Sequence, residues 1–459
     1  MKATQSPRRI LSSPQLEFVA IGGAIGSGLF VGSSEGLHTA GPSLLLAYAV
    51  CGIVVYFIAR CLAEMSLARD ARGTFVDHVR WQLGPRLGFV CGWTFWFTLV
   101  LIGMAELTAI GLLLRLWFPA AAPWMLVALV LVCLLAFNSA PVSYFGKSEL
   151  WLSIVKIGAI AVFIALGLAA AIVPNFLHLS DARFSNLWRY GGAFPTGVGG
   201  FVIVLPVALF AFGGFEVVGL AAAEARQPQR SLPRAVNGLI ARLIIFYLGA
   251  TAALLVLLPW PEVTPGTSPF VVVLQRMHLP FAATLMNAVL ITAVLSSCNA
   301  IIFSATRTLR SLALAVAAPR PLAALNGNGT PATAAAFTVA AMSLAVVLDS
   351  IVPKSLFGIL MQSVSILTAV TWALIVLAAM RFRMRNTSGA LSYFPVPWAP
   401  WSNVVVLAFL VSVVVLLARS AVRPVFLLAC AVLVILAVLS LFSKGPSRGT
   451  DTVHESASS

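Results

Sequence analysis

Long apolar runs, separated by short segments that carry most of the charged residues, recur along almost the whole chain. A run of about 20 apolar residues is long enough for an α-helix to cross a lipid bilayer. The pattern therefore predicts an all-α integral membrane protein with about 12 transmembrane helices. The predicted spans are 17–37, 42–66, 87–114, 123–140, 149–173, 197–224, 236–258, 281–311, 332–350, 355–380, 401–418 and 424–442.

The first span carries four glycines between Ile21 and Phe30. Each glycine in a helix interior costs about 1 kcal/mol relative to alanine, so we predict that the backbone unwinds here. Unwound half-helices offer N–H groups to an anion and carbonyl groups to a cation, which together suit a zwitterion. The alternative interpretation of the glycines is close helix packing through small residues.

A second interruption occurs in the sixth span, where Gly213 and Gly214 precede Glu216. The first and sixth spans each open a group of five, and an odd number of spans gives the two groups opposite orientations in the membrane. Broken helices at matching positions of two inverted halves are typical of the binding sites of secondary transporters. The second break therefore favours a binding site over simple packing.

The predicted organisation has five parts. They are an N-terminal tail 1–16, a first inverted repeat 17–173, a second inverted repeat 197–380, a final pair of spans 401–442 and a disordered tail 443–459. Basic residues concentrate in the loops that lie inside if the N-terminus is cytoplasmic. The positive-inside rule then predicts a multi-pass protein of the cytoplasmic (inner) membrane with both termini in the cytoplasm.

Composition excludes several other classes of protein. A hydrophobic share of 60% with only 9% charged residues is not that of a soluble globular protein. The net charge of +15 resides in short loops, so it indicates orientation in the lipid bilayer and no nucleic-acid partner. The sequence has no HExxH or GxxxxGK[ST] motif and its five histidines are scattered, so we expect no enzyme, metal or cofactor. A channel would not need paired broken helices.

Several short motifs are each weak alone but specific in their order and spacing. They include Ala40-Gly41-Pro42-Ser43, Gly84-Pro85, Phe212-Gly213-Gly214-Phe215-Glu216 and Ser231-Leu232-Pro233-Arg234-Ala235. With the first break, they make residues from about Gln15 to Ser443 resemble the amino acid permeases of the amino acid–polyamine–organocation (APC) superfamily. The branch that the chain most resembles carries aromatic amino acids, proline, or alanine, glycine and serine. The resemblance implies a LeuT-like fold, with a 5+5 inverted repeat and broken helices 1 and 6.

The resemblance also implies roles for individual residues. Gly26, Ser27 and Gly28 would bind the substrate carboxylate, and the carbonyls of Ala24, Phe210 and Gly213 would accept hydrogen bonds from its ammonium group. The substrate side chain would face Phe210, Phe212, Met104 and Ser296. Phe210 matches an aromatic residue that closes over bound substrate in relatives. Its alternative is an ordinary core position, since the chain has 29 phenylalanines.

Charged residues inside predicted spans are a further signal, because ionisable groups at bilayer depth are costly and mostly functional. Burial of Lys156 disfavours its charged form, so this residue can carry a transported proton. In relatives a lysine at this position replaces a sodium ion. The alternative is that the Lys156 side chain extends along the helix to the membrane interface. Glu216 either titrates during transport or holds unwound amides in place. Glu106 matches an acid of the family, and we expect it to make structural hydrogen bonds. Glu64, at a cytoplasmic helix end, is expected to pair with a loop arginine.

The predicted function is import of a neutral amino acid by proton symport with alternating access. The alternatives are an amino acid exchanger of the same fold and, much less favoured, a channel or membrane-embedded enzyme. The expected partners are the amino acid, a proton and the lipid bilayer, and the protein is expected to be a monomer or a homodimer.

Overall fold

The computed structural model describes residues 25–68, 74–138, 142–173, 182–216, 227–327, 329–351, 356–386, 394–419 and 423–442. All regular secondary structure in these residues is helical. The first half contains α1 (Ser27–Phe30), α2 (Gly32–Ala40), α3 (Ser43–Leu67), α4 (Phe75–Leu83), α5 (Pro85–Leu114), α6 (Pro123–Asn138) and α7 (Val142–Ile172).

The second half begins with α8 (Gly197–Ala211). It continues with α9 (Pro228–Arg242), a π-helical segment (Leu243–Gly249), α10 (Ala250–Leu257), α11 (Pro269–Arg276) and α12 (Pro280–Leu314). The chain then forms α13 (Ala332–Met342), α14 (Leu344–Ile351), α15 (Leu356–Arg385), α16 (Trp401–Arg419) and α17 (Arg423–Phe442). Short 3₁₀ turns lie at Phe184–Leu187, Trp260–Glu262 and Arg320–Ala323.

Nine helices within the described ranges are long and apolar enough to cross a membrane. Two shorter apolar helices, Trp124–Asn138 and Gly197–Ala211, coincide with the predicted fourth and sixth spans. The nine long helices coincide with nine other predicted spans, several of them extending further than predicted. Thus α9 begins at Pro228 and not near 236, because the helix continues through polar residues beyond the apolar run.

The centre of the bundle is formed by α5 and α12, which pack against each other and are the most deeply buried of the long helices. The last helix, α17, is the most exposed of the nine, with apolar side chains such as Leu427 and Val434 on its surface. In a membrane protein this outward apolar face contacts lipid. The central position of α5 and α12 places their polar side chains beside the broken helices.

Two short helices lie where the sequence predicted only loops. Helix α4 is started by a capping box, in which Thr74 N donates to the carboxylate of Asp77 at 2.8 Å and the Thr74 hydroxyl accepts from Asp77 N. Helix α11 begins with Pro269 in its first turn, where the missing N–H costs nothing. Both helices are too short to span a bilayer, so a search for long apolar runs does not detect them.

Candidate functional site

The first break is partly visible. Helix α1 begins at Ser27 after Gly26, whose backbone is extended, and helical geometry is interrupted at Val31 before α2 begins at Gly32. Gly22, Gly23 and Ala24, the last of these a predicted ammonium ligand, lie outside the described residues. Ser27 and Gly28 are buried, so their backbone faces protein and not lipid.

Both glycines of the predicted carboxylate site are positions of close approach. A Cβ atom at Gly28 would lie 2.7 Å from the Cα of Ala211, so the first and second broken helices meet here backbone to backbone. A Cβ atom at Gly26 would lie 2.2 Å from Oε1 of Glu106 and 2.6 Å from Oγ of Ser297. Glycine is therefore required at position 28, where the neighbour is backbone, whereas a side chain at position 26 would have to displace the Glu106 carboxylate and the Ser297 hydroxyl.

The second break begins where α8 ends, at Ala211. Residues 212–216 form a turn in which Gly214 has a φ of +95°, a conformation that favours glycine. The carbonyl of Phe210 accepts from the amide of Gly213 at 2.9 Å, and the carbonyl of Ala211 accepts from the hydroxyl of Tyr247 at 2.5 Å. The π-helical segment that contains Tyr247 thus satisfies a carbonyl that the break has freed.

Glu106, on α5, binds the backbone of the first break directly. Its carboxylate accepts from the amide of Ser27 at 3.0 and 3.3 Å and from the hydroxyl of Ser297 on α12 at 3.0 Å. One buried acid therefore joins three elements. This is the geometry that a structural hydrogen-bonding role requires, and it occupies the Ser27 amide.

Lys156, on α7, contacts the backbone beside the same break. Its side chain is fully buried, and Nζ donates to the carbonyl oxygen of Ile25 at 3.1 Å. Glu149 and Glu106 are the acids whose charges act on it. A buried ammonium group at this position donates to a carbonyl of the interrupted segment, and carbonyls of unwound helices also coordinate cations in transporters.

Glu216 closes the second break. Its carboxylate accepts from the amide of Gly214 at 3.0 Å and from the indole N–H of Trp372 on α15. The Trp372 ring also packs edge to face on Phe215. The second of the two predicted roles, holding unwound amides in place, needs this type of contact.

The predicted side-chain pocket is dispersed around the breaks. Phe210 is buried against the ring of Phe357, with centroids 6.0 Å apart. Phe212 packs on Tyr247, with centroids 4.5 Å apart. Met104 is buried on α5, two residues after Ile102, whose side chain lies next to Gly213. The hydroxyl of Ser296 donates to Glu149 at 2.7 Å.

Several polar residues of this region were not singled out from the sequence. They are Glu149, Asn299, Ser297, Tyr247 and Trp372. One of them had a detectable signal, because Glu149 stands seven residues before Lys156 and therefore on the same face of α7. The others lie on other elements, and their contacts depend on how those elements pack, which the local sequence does not show.

The geometry describes a multi-pass helical membrane protein whose interrupted helices are held by buried polar side chains. Comparison with known proteins gives its family. The amino acid permease family matches residues 15–443. The chain is 36% identical to the uncharacterized transporter YdgF of Bacillus subtilis (strain 168) over 415 residues, covering 90% of this chain and 91% of that protein.

Two further relatives carry more informative names. The aromatic amino acid transport protein AroP of Escherichia coli (strain K12) is 36% identical over 416 residues, covering 89% of this chain and 90% of AroP. The amino-acid permease AapA of Bacillus subtilis (strain 168) is 37% identical over 416 residues, covering 90% of each chain. The chain therefore belongs to the amino acid permease family. It is a membrane transporter of amino acids, in agreement with the resemblance found in its sequence.

Proposed function

We propose that this permease is a secondary active transporter that imports a neutral amino acid by proton symport. The observation that carries the proposal is the hydrogen bond between Lys156 and the carbonyl of Ile25, immediately before the first break. It connects a buried titratable group to the backbone that borders the proposed substrate site. The two binding events can therefore influence each other through one short segment.

The proposed architecture is the 5+5 inverted repeat with about 12 spans, in the cytoplasmic membrane with both termini inside. It is supported by interruptions of helical geometry near Val31 and after Ala211, within the predicted first and sixth spans. The close approach of Gly28 to Ala211 supports one site between the two breaks. Alternating access would then expose this site to each side of the membrane in turn.

The substrate carboxylate is proposed to bind at Gly26, Ser27 and Gly28. Because the amide of Ser27 already donates to Glu106, the hydroxyl of Ser27 and the amides of the two glycines are the groups left for this role. The ammonium group of the substrate would bind the carbonyls of Ala24, Phe210 and Gly213. These are backbone groups, so they recognise what all amino acids share.

The side chain of the substrate is proposed to lie among Phe210, Phe212, Met104 and Ser296. The aromatic surroundings of Phe212, which packs on Tyr247 and Tyr48, favour an apolar or aromatic side chain. AroP is named as an aromatic amino acid transport protein, and AapA as an amino-acid permease without a stated class. We therefore propose neutral amino acids as the substrates, and among them the aromatic amino acids as the first candidates.

Proton coupling is proposed to act through Lys156, with Glu216 as the second candidate. A protonated Lys156 donates more strongly to the Ile25 carbonyl than a neutral amine does. If this contact differs between the outward-facing and inward-facing states, a differential affinity of a few kcal/mol is enough to shift the population from one to the other.

Uptake into proteoliposomes containing the purified protein tests the proposal. Competition of each of the twenty common amino acids against radiolabelled phenylalanine identifies the substrate class. An inward proton gradient should drive accumulation above equilibrium. Exchange without net accumulation would identify an exchanger, and equilibration alone a channel; either result would reject symport.

A further inference from the structure

Glu149 is a fully buried acid that the proposed coupling mechanism does not yet use. It lies seven residues before Lys156 on α7, which places both side chains on one face, about 10 Å apart along the helix axis. The charges of the two residues act on each other. Glu149 therefore belongs electrostatically to the coupling lysine.

The carboxylate of Glu149 is held by two side chains of α12. Ser296 donates its hydroxyl to Oε2 at 2.7 Å, and Asn299 donates Nδ2 to Oε1 at 3.3 Å. Asn299 in turn accepts from Nδ2 of Asn138 at 2.7 Å. Because Asn138 is the last residue of α6, this polar row runs from Glu149 towards the end of the bundle where α6 and α7 are joined.

Other elements around α7 add few charges. Helix α10, which packs on α7, contains no ionisable side chain. On α12, Cys298 lies between Ser296 and Asn299, and from α5 Glu106 also acts on Lys156. Among these groups, Glu149 is the acid that lies both on the face of Lys156 and in the polar row to the α6–α7 end.

We propose that Glu149 receives the transported proton from Lys156 and releases it towards the end of the bundle where α6 meets α7. This inference rests on the proposed symport through Lys156. In the transfer the ammonium group of Lys156 loses a proton and becomes a neutral amine, and the carboxylate of Glu149 gains it and becomes a carboxylic acid. Two buried charges are thereby replaced by two neutral groups, which a low-dielectric interior favours. In the proposed topology the α6–α7 connection is cytoplasmic, so the proton leaves on the inner side.

The competing explanation is that Glu149 only ties α7 to α12. The variant Glu149→Gln distinguishes the proton relay from the structural tie. Glutamine keeps the shape of the glutamate side chain and one accepting oxygen, but it cannot carry the proton. Asn299→Leu is the structural comparison, since it removes a donor of the tie and leaves the acid. Glu149→Asp keeps an acid one methylene shorter, so it should restore part of the coupling.

The test uses proteoliposomes loaded with a pH-sensitive dye, with radiolabelled phenylalanine as the probe. We expect Glu149→Gln to abolish phenylalanine-dependent proton entry and to bring accumulation down to a ratio of about one, while counterflow of phenylalanine remains measurable. Asn299→Leu should retain proton entry at a reduced rate, since it interrupts the polar row but leaves the acid, and Glu149→Asp should regain some of the entry that Glu149→Gln loses. Wild-type proton entry in Glu149→Gln, or loss of proton entry in Asn299→Leu equal to that in Glu149→Gln, would overturn the relay.

Failure of the underlying symport is recognised separately. If wild-type protein shows no proton entry with phenylalanine or with any amino acid that competes with it, the proposed symport fails and the relay falls with it. Proton entry with phenylalanine in wild-type protein and in Glu149→Gln, together with its loss in Lys156→Ala, would show that only the relay is wrong.

Discussion

The side-chain nitrogen of Lys156 lies 3.1 Å from the carbonyl oxygen of Ile25, inside the helix bundle. This hydrogen bond joins α7 to the residue that precedes the first break by one position. The same segment is held from α5 by Glu106, which accepts from the amide of Ser27. Two ionisable side chains therefore hydrogen-bond to adjacent peptide units, Lys156 as donor and Glu106 as acceptor.

The contact between the two broken helices depends on the absence of a side chain at Gly28. We predict that Gly28→Ala lowers uptake at least about tenfold, because overpacking against backbone costs about 1–3 kcal/mol and a backbone atom cannot move aside. Gly199→Ala is the matched control, since Gly199 lies on α8 with nothing within 4 Å of its added Cβ. Both variants are compared for uptake and for the amount of protein in the membrane.

Equal uptake by Gly28→Ala and Gly199→Ala would show that the two breaks need not touch for transport. It would also remove the main support for a single site between them.

Glu106 is predicted to act through its hydrogen bonds and not as the proton carrier. Glu106→Ala leaves the buried amide of Ser27 without a partner, at a cost of about 1–3 kcal/mol, so thermal stability in detergent and uptake should both fall. Glu106→Gln retains one accepting oxygen and should fall less. The shape of the pH profile of uptake should stay that of wild type in Glu106→Gln; a flattened profile would assign the proton to Glu106.

Trp372 is predicted to fix the second break through Glu216. Trp372→Phe keeps an aromatic ring against Phe215 and removes only the N–H donor, so we expect a loss of about 1–3 kcal/mol in stability. The double variant of Trp372→Phe and Glu216→Gln should lose less stability than the sum of the two single losses, because both substitutions remove the same interaction. Thermal unfolding of the four proteins in detergent gives this cycle; strict additivity would mean that the two groups act independently.

Glu64 pairs with an arginine as expected, since Nε of Arg383 lies 2.9 Å from its Oε1, but Arg383 belongs to the last turn of α15 and not to a loop. The carboxylate also accepts from the amide of Val396, so it ties α3 and the end of α15 to the segment before α16. Arg383→Ala leaves this buried carboxylate uncompensated, and we predict a loss of about 3–5 kcal/mol in stability.

Arg276→Ala serves as the control for Arg383→Ala. Arg276 also pairs with an acid, Glu262, but both side chains are more than 40% exposed. Such exposed pairs contribute about 0–1 kcal/mol. Similar unfolding temperatures for the two variants would contradict the distinction between the buried and the exposed pair.

The spans and the breaks could be predicted because they depend on local sequence. The run 401–418 is predominantly apolar and forms Trp401–Arg419, and the Gly213-Gly214 pair marks the place where α8 stops. The glycine pair was informative because two glycines in a helix interior lower helix stability, which favours an interruption of the helix at that place.

The partners of the buried acids could not be predicted. Glu106 binds residues 79 and 191 positions away, and Glu149 binds one 147 positions away. Contacts across such separations depend on how α5 and α12 pack against their neighbours, which the local sequence of neither helix shows. The roles of the predicted substrate ligands came from the family resemblance and remain predictions.

The most direct test of the account is the coupling of proton and amino acid fluxes in Lys156 variants. Proteoliposomes are given an inward proton gradient, and entry of radiolabelled phenylalanine and of protons is recorded together. We predict that wild-type protein concentrates the amino acid and takes up protons with it. Lys156→Ala, which lacks the titrating group, and Lys156→Arg, which cannot release its proton at working pH, should do neither, although counterflow persists in Lys156→Ala. Gradient-driven accumulation by Lys156→Ala at the wild-type level would contradict the account and leave Glu216 as the candidate for coupling.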